Sequence, residues 1–292
     1  MSYDDDDPIG RVLSRREVVR LLAASGADVL IGCRRDANVA GADSLAAARS
    51  SSAGGALPAC VAKPELTVGP YFVDKQLERS DIRLEPTSNS AKPGAPLELR
   101  FNVVEIMNGQ CSPLSGAMVD VWQCDAAGQY SGVNDRMIGF DTVGQRFLRG
   151  YQVTDNKGVA SFTTIYPGWY PGRTVHIHFK IRTPARAVVR EQPASVYEFT
   201  SQLFFDDALT DRVHREQPYA AKGQRDIRNE RDGIYRESGG VLMLAVSRAG
   251  SGYSGTFDVG LDLANAQVGR PDRDGGPGGR GRRGGPPPRG RP

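Results

Sequence analysis

The 292-residue sequence predicts an all-β fold, an antiparallel β-sandwich, and three observations carry that prediction. Leu97-Glu98-Leu99-Arg100-Phe101-Asn102-Val103 alternates strictly, which puts Leu97, Leu99, Phe101 and Val103 on one face of a strand. Further short apolar runs follow at Met118–Trp122, Ala160–Ile165, Val175–Ile181, Ser201–Phe205 and Val241–Val246, with a weaker one over Thr256–Leu263. Gly, Pro, Asn and Asp separate them, as in Asp155-Asn156-Lys157-Gly158, which reads as a hairpin turn. No long helical pattern and no internal repeat interrupts the series, as expected of a sandwich.

Four segments follow one another along the chain. Residues 1–33 read as an export signal: Ser14-Arg15-Arg16-Glu17-Val18-Val19 resembles a twin-arginine motif, and Leu21-Leu22-Ala23-Ala24 begins an apolar run behind it. Leu30-Ile31-Gly32-Cys33 resembles a lipoprotein cleavage box, with Cys33 as the acceptor of a lipid anchor. An amphipathic surface helix with an incidental Arg pair is the blander reading. Residues 34–58, rich in Ala, Ser and Gly, read as a flexible linker, and 59–268 as the sandwich domain. Residues 269–292 hold nine Gly, six Pro and seven Arg and no apolar side chain to bury, so a solvated, disordered tail is expected. RNA binding by its Arg-Gly tract is the sharper alternative, but aromatics for base stacking are absent.

Composition narrows the function. The net charge of +3 is uneven: the tail carries +5 and the first 33 residues −2, which leaves 34–268 neutral. A neutral body argues against a nucleic-acid-binding domain. With 39% apolar residues the chain can bury a large core, yet no run of about 18 apolar residues offers a membrane span. Four Cys without CxxC spacing exclude a Cys-rich zinc site. With three His in all, a histidine metal site must use nearly all of them.

The chemistry concentrates in Thr164-Ile165-Tyr166-Pro167-Gly168-Trp169-Tyr170-Pro171-Gly172-Arg173-Thr174-Val175-His176-Ile177-His178-Phe179-Lys180. In a strand, His176 and His178 share one face, while Val175, Ile177, Phe179 and Ile181 share the other. Two imidazoles then converge on one point outside the core, which suits two metal ligands. No acidic residue or Cys lies close to the pair, so a two-His-one-carboxylate site lacks local support. Phenolates favour a trivalent metal, and Tyr170 and Tyr130 are candidates. Spacing alone does not assign them, because Tyr is usually a packing residue with a wet hydroxyl.

These residues resemble the intradiol ring-cleavage dioxygenases, the family of protocatechuate 3,4-dioxygenase and catechol 1,2-dioxygenase. The resemblance runs from about Thr67 to Asp206. It comprises Thr67-Val68-Gly69-Pro70-Tyr71, Leu114 to Gln123 leading to Gly128-Gln129-Tyr130, Thr154-Asp155 to Gly158, Phe162 to Tyr170, Arg173 to His178, and Gln202-Leu203-Phe204-Phe205. It implies one Fe(III) held by Tyr130, Tyr170, His176 and His178. Tyr166 competes with Tyr170, but the family's ligand follows the Pro-Gly pair by two residues, which selects Tyr170. The resemblance further implies that a catechol displaces Tyr170 while Tyr130 stays. Dioxygen then attacks the ring, and a cis,cis-muconate-type diacid results. Arg173 matches a catalytic and substrate-binding arginine that stabilises charge on the ring, and Gln202 a pocket residue that holds it. Gly69 and Pro70 match a segment at the pocket mouth.

The chain departs from the better-known members in one place. Only Pro171 and Gly172 separate Tyr170 from Arg173, with Gly172 where protocatechuate enzymes carry a Trp, so a wider pocket for more varied catechols is expected. The compact motif and export-like start resemble a secreted branch. A secreted sandwich that binds a ligand or metal without catalysis is the alternative, as is a cytoplasmic location. Oligomeric state is left open. Among Cys60, Cys111 and Cys124, two could form a disulfide in an exported protein, with Cys111–Cys124 first and Cys60 with either close behind; three buried free thiols are the alternative.

Overall fold

A computed structural model describes residues 62–184 and 196–264. The expected signal with Cys33, the linker at 34–58, Cys60 and the tail at 269–292 all lie outside the described residues. Nine strands of four or more residues are found among those described: β1 (Pro96–Met107), β2 (Gln110–Pro113), β3 (Met118–Trp122), β4 (Arg149–Val153), β5 (Val159–Ile165), β6 (His176–Pro184), β7 (Val196–Phe204), β8 (Ala245–Ala249) and β9 (Gly252–Leu261). One sheet has the order β7-β6-β3-β4, and every ladder in it is antiparallel. The other has the order β8-β9-β1-β2, with β5 pairing the first half of β1. Within it, β9 runs parallel to β1.

The predicted alternation is realised in this sandwich. Leu97, Leu99, Phe101 and Val103 of β1 are buried, whereas Glu98 and Arg100 between them are exposed. Opposite them stand Val119 and Val121 of β3, Ile177, Phe179 and Ile181 of β6, and Phe199 and Leu203 of β7. Phe179 bridges the sheets, with its ring 5.2 Å from Phe101 and 5.7 Å from Phe257. Each such side chain removed from water stabilises the fold by about 1.5–3 kcal/mol.

Three expectations need correction. Asp155–Gly158 is a turn, closed by the Gly158 amide donating to the Asp155 carbonyl at 2.9 Å, but not a hairpin. It passes the chain from β4 in one sheet to β5 in the other. The run Val241–Val246 is a strand only from Ala245 onward, because its first residues form turns beyond a short helix. Cys111 is disulfide-bonded, but Cys124 is a buried free thiol. The Cys111–Cys124 pairing is therefore overturned, and the partner of Cys111 lies outside the described residues.

After β7 the chain forms two short helices, α1 (Asp207–Val213) and α2 (Gly233–Glu237). Asp206 caps α1 by accepting from the Leu209 amide at 2.7 Å. Asp232 caps α2 by accepting from the Tyr235 amide at 2.9 Å. Neither shows a helical period in the sequence, since seven and five residues are too few for one.

Candidate metal centre and active site

Strand β6 supplies the centre. His178 lies opposite Trp122 of β3 and Gln202 of β7, and His176 opposite Phe204. Both imidazoles point away from the inter-sheet core into a second cluster that contains Tyr71, Trp122, Cys124, Tyr130, Phe140 and Tyr170. They are 2% and 1% exposed, more enclosed than an outward-facing strand suggests. His178 stacks on the Trp122 ring at 5.0 Å and 8°.

The tautomer of His176 follows from its partner. Its Nδ1 lies 2.6 Å from the Thr174 carbonyl, which can only accept, so Nδ1 carries the proton and Nε2 presents a lone pair. That Nε2 is 3.0 Å from Nε2 of His178 and 3.2 Å from the Tyr170 hydroxyl. Burial, followed by the nearby positive charge of Arg173, holds the His176 pKa well down. Burial and the neighbouring His176 do the same for His178. Both rings are therefore neutral, the state in which imidazole binds a metal.

Tyr130 reaches the cluster from the β3–β4 connection. The turn before it is organised by Asp125, whose carboxylate accepts from the Ala127 and Gln129 amides at 3.0 Å each. Gly128 has φ +80°, and a Cβ there would lie 2.1 Å from the Trp169 carbonyl. Only glycine lets this turn sit against the β5–β6 connection that carries Tyr170. The Tyr130 ring stacks on Tyr71 at 4.4 Å and meets Tyr170 edge-on at 5.7 Å. Burial, and next the adjacent Tyr170, raise its pKa strongly. Its hydroxyl is buried and makes no hydrogen bond of normal geometry. A buried hydroxyl without a normal hydrogen bond beside the two imidazoles and Tyr170 suits a cation.

The donor set fits one metal ion. Two ligands each about 2.1 Å from a shared metal, at right angles to one another, stand about 3 Å apart, as the two imidazoles do. Among the described residues no group of three or more His, Cys, Asp or Glu gathers at one point, so the phenols are the donors that complete this set. Gly69, at φ +69°, lies against the site, and a Cβ there would come within 3.0 Å of His178 Cε1. Pro70, next to it, is exposed.

Arg173 is fixed beside the donors. Its Nη2 donates to Gln202 Oε1 at 2.7 Å, and Gln202 Nε2 donates in turn to the Thr67 carbonyl at 3.2 Å. The expected Arg173–Gln202 contact is thus present. Its second partner, Asp232, was not foreseen: Arg173 Nε and the Thr174 amide donate to Asp232 Oδ2 at 2.9 and 2.8 Å. Burial alone would raise the Asp232 carboxyl, but Arg173 and the backbone amides outweigh it and hold the pKa below its ordinary value. Asp232 comes 59 residues after Arg173, and its one sequence signal, an Asp ahead of a short helix, speaks of capping only. In the sequence, Trp122 and Tyr71 belong to the matching motifs but carry no signal of a place in the site.

A family model described as Dioxygenase matches residues 67–216. The chain is 35% identical over 104 residues to the protocatechuate 3,4-dioxygenase beta chain of Burkholderia cepacia, which covers 32% of this chain and 43% of that one. It is 31% identical over 138 residues to catechol 1,2-dioxygenase of Candida albicans, covering 40% and 42% of the two chains. The matches therefore span less than half the length of these curated relatives. The structure of an intradiol ring-cleavage dioxygenase from Tetranychus urticae superposes with a TM-score of 0.59 at 30% identity, over 70% of this chain and 97% of that one.

Proposed function

The chain belongs to the intradiol ring-cleavage dioxygenase family, and from that premise we propose that it is a non-haem Fe(III) enzyme which opens the aromatic ring of catechols with O2 to give cis,cis-muconate-type diacids. The observation that carries the reading is the placement of His176 Nε2 at 3.0 Å from His178 Nε2 and 3.2 Å from the Tyr170 hydroxyl, with the buried Tyr130 ring edge-on to Tyr170. These four residues would hold the iron. When bound, ferric iron supplies the Lewis-acid and redox chemistry that makes a catecholate ring reactive toward dioxygen.

The chain's own residues have separable tasks. Tyr170 makes only edge-on ring contacts, unlike the stacked Tyr130, so it is the phenol that would give way to a catechol, and its oxygen would take up a catechol proton. Tyr130, held in the stack with Tyr71, stays. Arg173, held by Asp232 and Gln202, places a permanent positive charge where negative charge builds on the ring. The aromatic cluster around the donors excludes water. With Pro171 and Gly172 alone between Tyr170 and Arg173, the pocket wall is short, which favours varied or larger catechols.

Oxygen uptake across catechol, protocatechuate, hydroxyquinol and larger lignin-like catechols, with mass analysis of the products, tests the reading. Ring-opened diacids carrying both oxygen atoms support it. Iron-loaded protein that consumes no oxygen with any of them would instead make the chain a binding protein on this fold.

Export through Ser14-Arg15-Arg16, with a lipid anchor on Cys33, forms part of the same proposal. Its support is the sequence pattern, an Arg pair ahead of an apolar run and a Cys after Leu30-Ile31-Gly32. No helix among the described residues is long and apolar enough to cross a membrane. Cell fractionation of the native chain beside an Arg15→Lys, Arg16→Lys variant decides it. Native protein found only in the cytosol, unchanged in the variant, would defeat export and leave the iron chemistry untouched.

A further inference from the structure

Arg149 of β4 has no part in the mechanism above, yet it is the buried cation that ties together two walls of the site. It lies opposite Trp122 and is 4% exposed. Its Nε donates to Ser131 Oγ at 2.8 Å, and Nη2 also donates to the Ser131 carbonyl. Nη1 and Nη2 both donate to the Tyr71 carbonyl at 3.2 Å. Ser131 directly follows Tyr130, and its hydroxyl is spent on the Phe147 carbonyl at 2.6 Å. Tyr71, held directly, and Tyr130, the chain neighbour of the held Ser131, carry the rings that stack at 4.4 Å.

All of these partners are neutral; among the described residues, no carboxylate hydrogen-bonds to this guanidinium. Burial draws its pKa down to about 10. For stability alone this is a poor use of a side chain, since an apolar residue of similar size would fill the space without desolvating a charge. A guanidinium adds something else: a rigid fork that fixes two separate backbone segments at once. Tyr71 is pinned at its other end as well, where its hydroxyl donates to Asp135 Oδ2 at 2.6 Å.

We propose that Arg149 is a positioning residue for ring cleavage, which sets the place of Tyr130 and of the Tyr71 ring stacked on it by clamping the Ser131 and Tyr71 backbone. This rests on the dioxygenase reading. Lysine at 149 keeps the charge but loses the fork. Folded Arg149→Lys, verified by far-ultraviolet circular dichroism, should still take up iron, but with its tyrosinate-to-iron absorption band shifted. Its kcat should fall about a hundredfold, the penalty of a misplaced reacting group, while KM for catechol changes little.

An unchanged band and kcat, with only a lower melting temperature, would make Arg149 a structural residue and overturn the proposal. Should Arg149→Lys not fold, Ser131→Ala removes the Nε contact together with the Ser131 hydroxyl's bond to the Phe147 carbonyl and is read the same way, with a smaller shift expected. The clamp is also read without metal. Near-ultraviolet circular dichroism of metal-free Arg149→Lys should lose part of the tyrosine signal from the Tyr71–Tyr130 stack, and a spectrum like that of the native chain would overturn the clamp. Native protein that never binds iron would defeat the dioxygenase reading and leave that metal-free comparison standing.

Discussion

The two faces of strand β6 do opposite work. Ile177, Phe179 and Ile181 turn inward and join the sheets, while His176 and His178, one residue out of step, turn into the aromatic cluster with Tyr130 and Tyr170. Both faces are buried, but the inner one is satisfied by packing. The outer one keeps a buried hydroxyl on Tyr130 and a ring nitrogen on His178 without a hydrogen bond. Burial by itself therefore does not distinguish a core from a site. Unmet hydrogen-bonding capacity where several donors meet does.

Removing a metal donor should separate the faces most sharply. His178→Ala is expected to lose iron and all measurable turnover together, while the metal-free protein unfolds within about 2 kcal/mol of the native chain. Metal analysis beside a denaturant titration checks both halves. Full activity in this variant would remove His178 from the centre. Phe179→Ala, its neighbour on the inner face, should show the reverse pattern, with about 3–5 kcal/mol of stability lost and normal iron content in whatever remains folded.

A subtler change, just before β6, spares the metal. Arg173→Ala should bind iron normally and lose turnover by about a hundredfold, equivalent to about 2.7 kcal/mol of transition-state stabilisation. Steady-state kinetics at full iron occupancy measures it, and normal turnover would take Arg173 out of the mechanism.

The smallest effect concerns another ionisable group on the site's sheet. Asp120 of β3 lies 3.0 Å from Arg182 Nη2. Burial pushes its carboxyl up to about 6, with Arg182 pulling against it. The folded protein therefore binds this proton more tightly than the unfolded chain between about pH 4 and 6. The stability Asp120 contributes is present below that window and is lost as the pH rises through it, by roughly 2 kcal/mol. Unfolding free energies at pH 4, 5 and 6 for the native chain and Asp120→Asn should diverge by this slope. Parallel curves would show that Asp120 titrates normally.

Sequence reasoning reached these two faces unequally. The inner face was legible because alternation in β1 and β6 is a local property of the chain, written at every second residue. The histidine pair was legible for the same reason. Tyr130 and Tyr170 were candidates by spacing and ligands only by family resemblance, since nothing local shows that Gly128 lets one connection rest on the other. Asp232 and Arg149 escaped notice because their partners are distant in sequence and their roles appear only when the chain is closed. Strand β4 was missed too: Arg149-Gly150-Tyr151-Gln152-Val153 has no apolar alternation, and its one fully enclosed side chain, Arg149, is charged.

The central claim is that these four side chains form one ferric centre, and the visible spectrum of purified protein supplied with iron tests it most directly. The account predicts close to one iron per chain and a red-brown tyrosinate-to-iron band, which is absent from His178→Ala and altered in Tyr170→Phe. A colourless protein that holds no iron after iron has been supplied would contradict it.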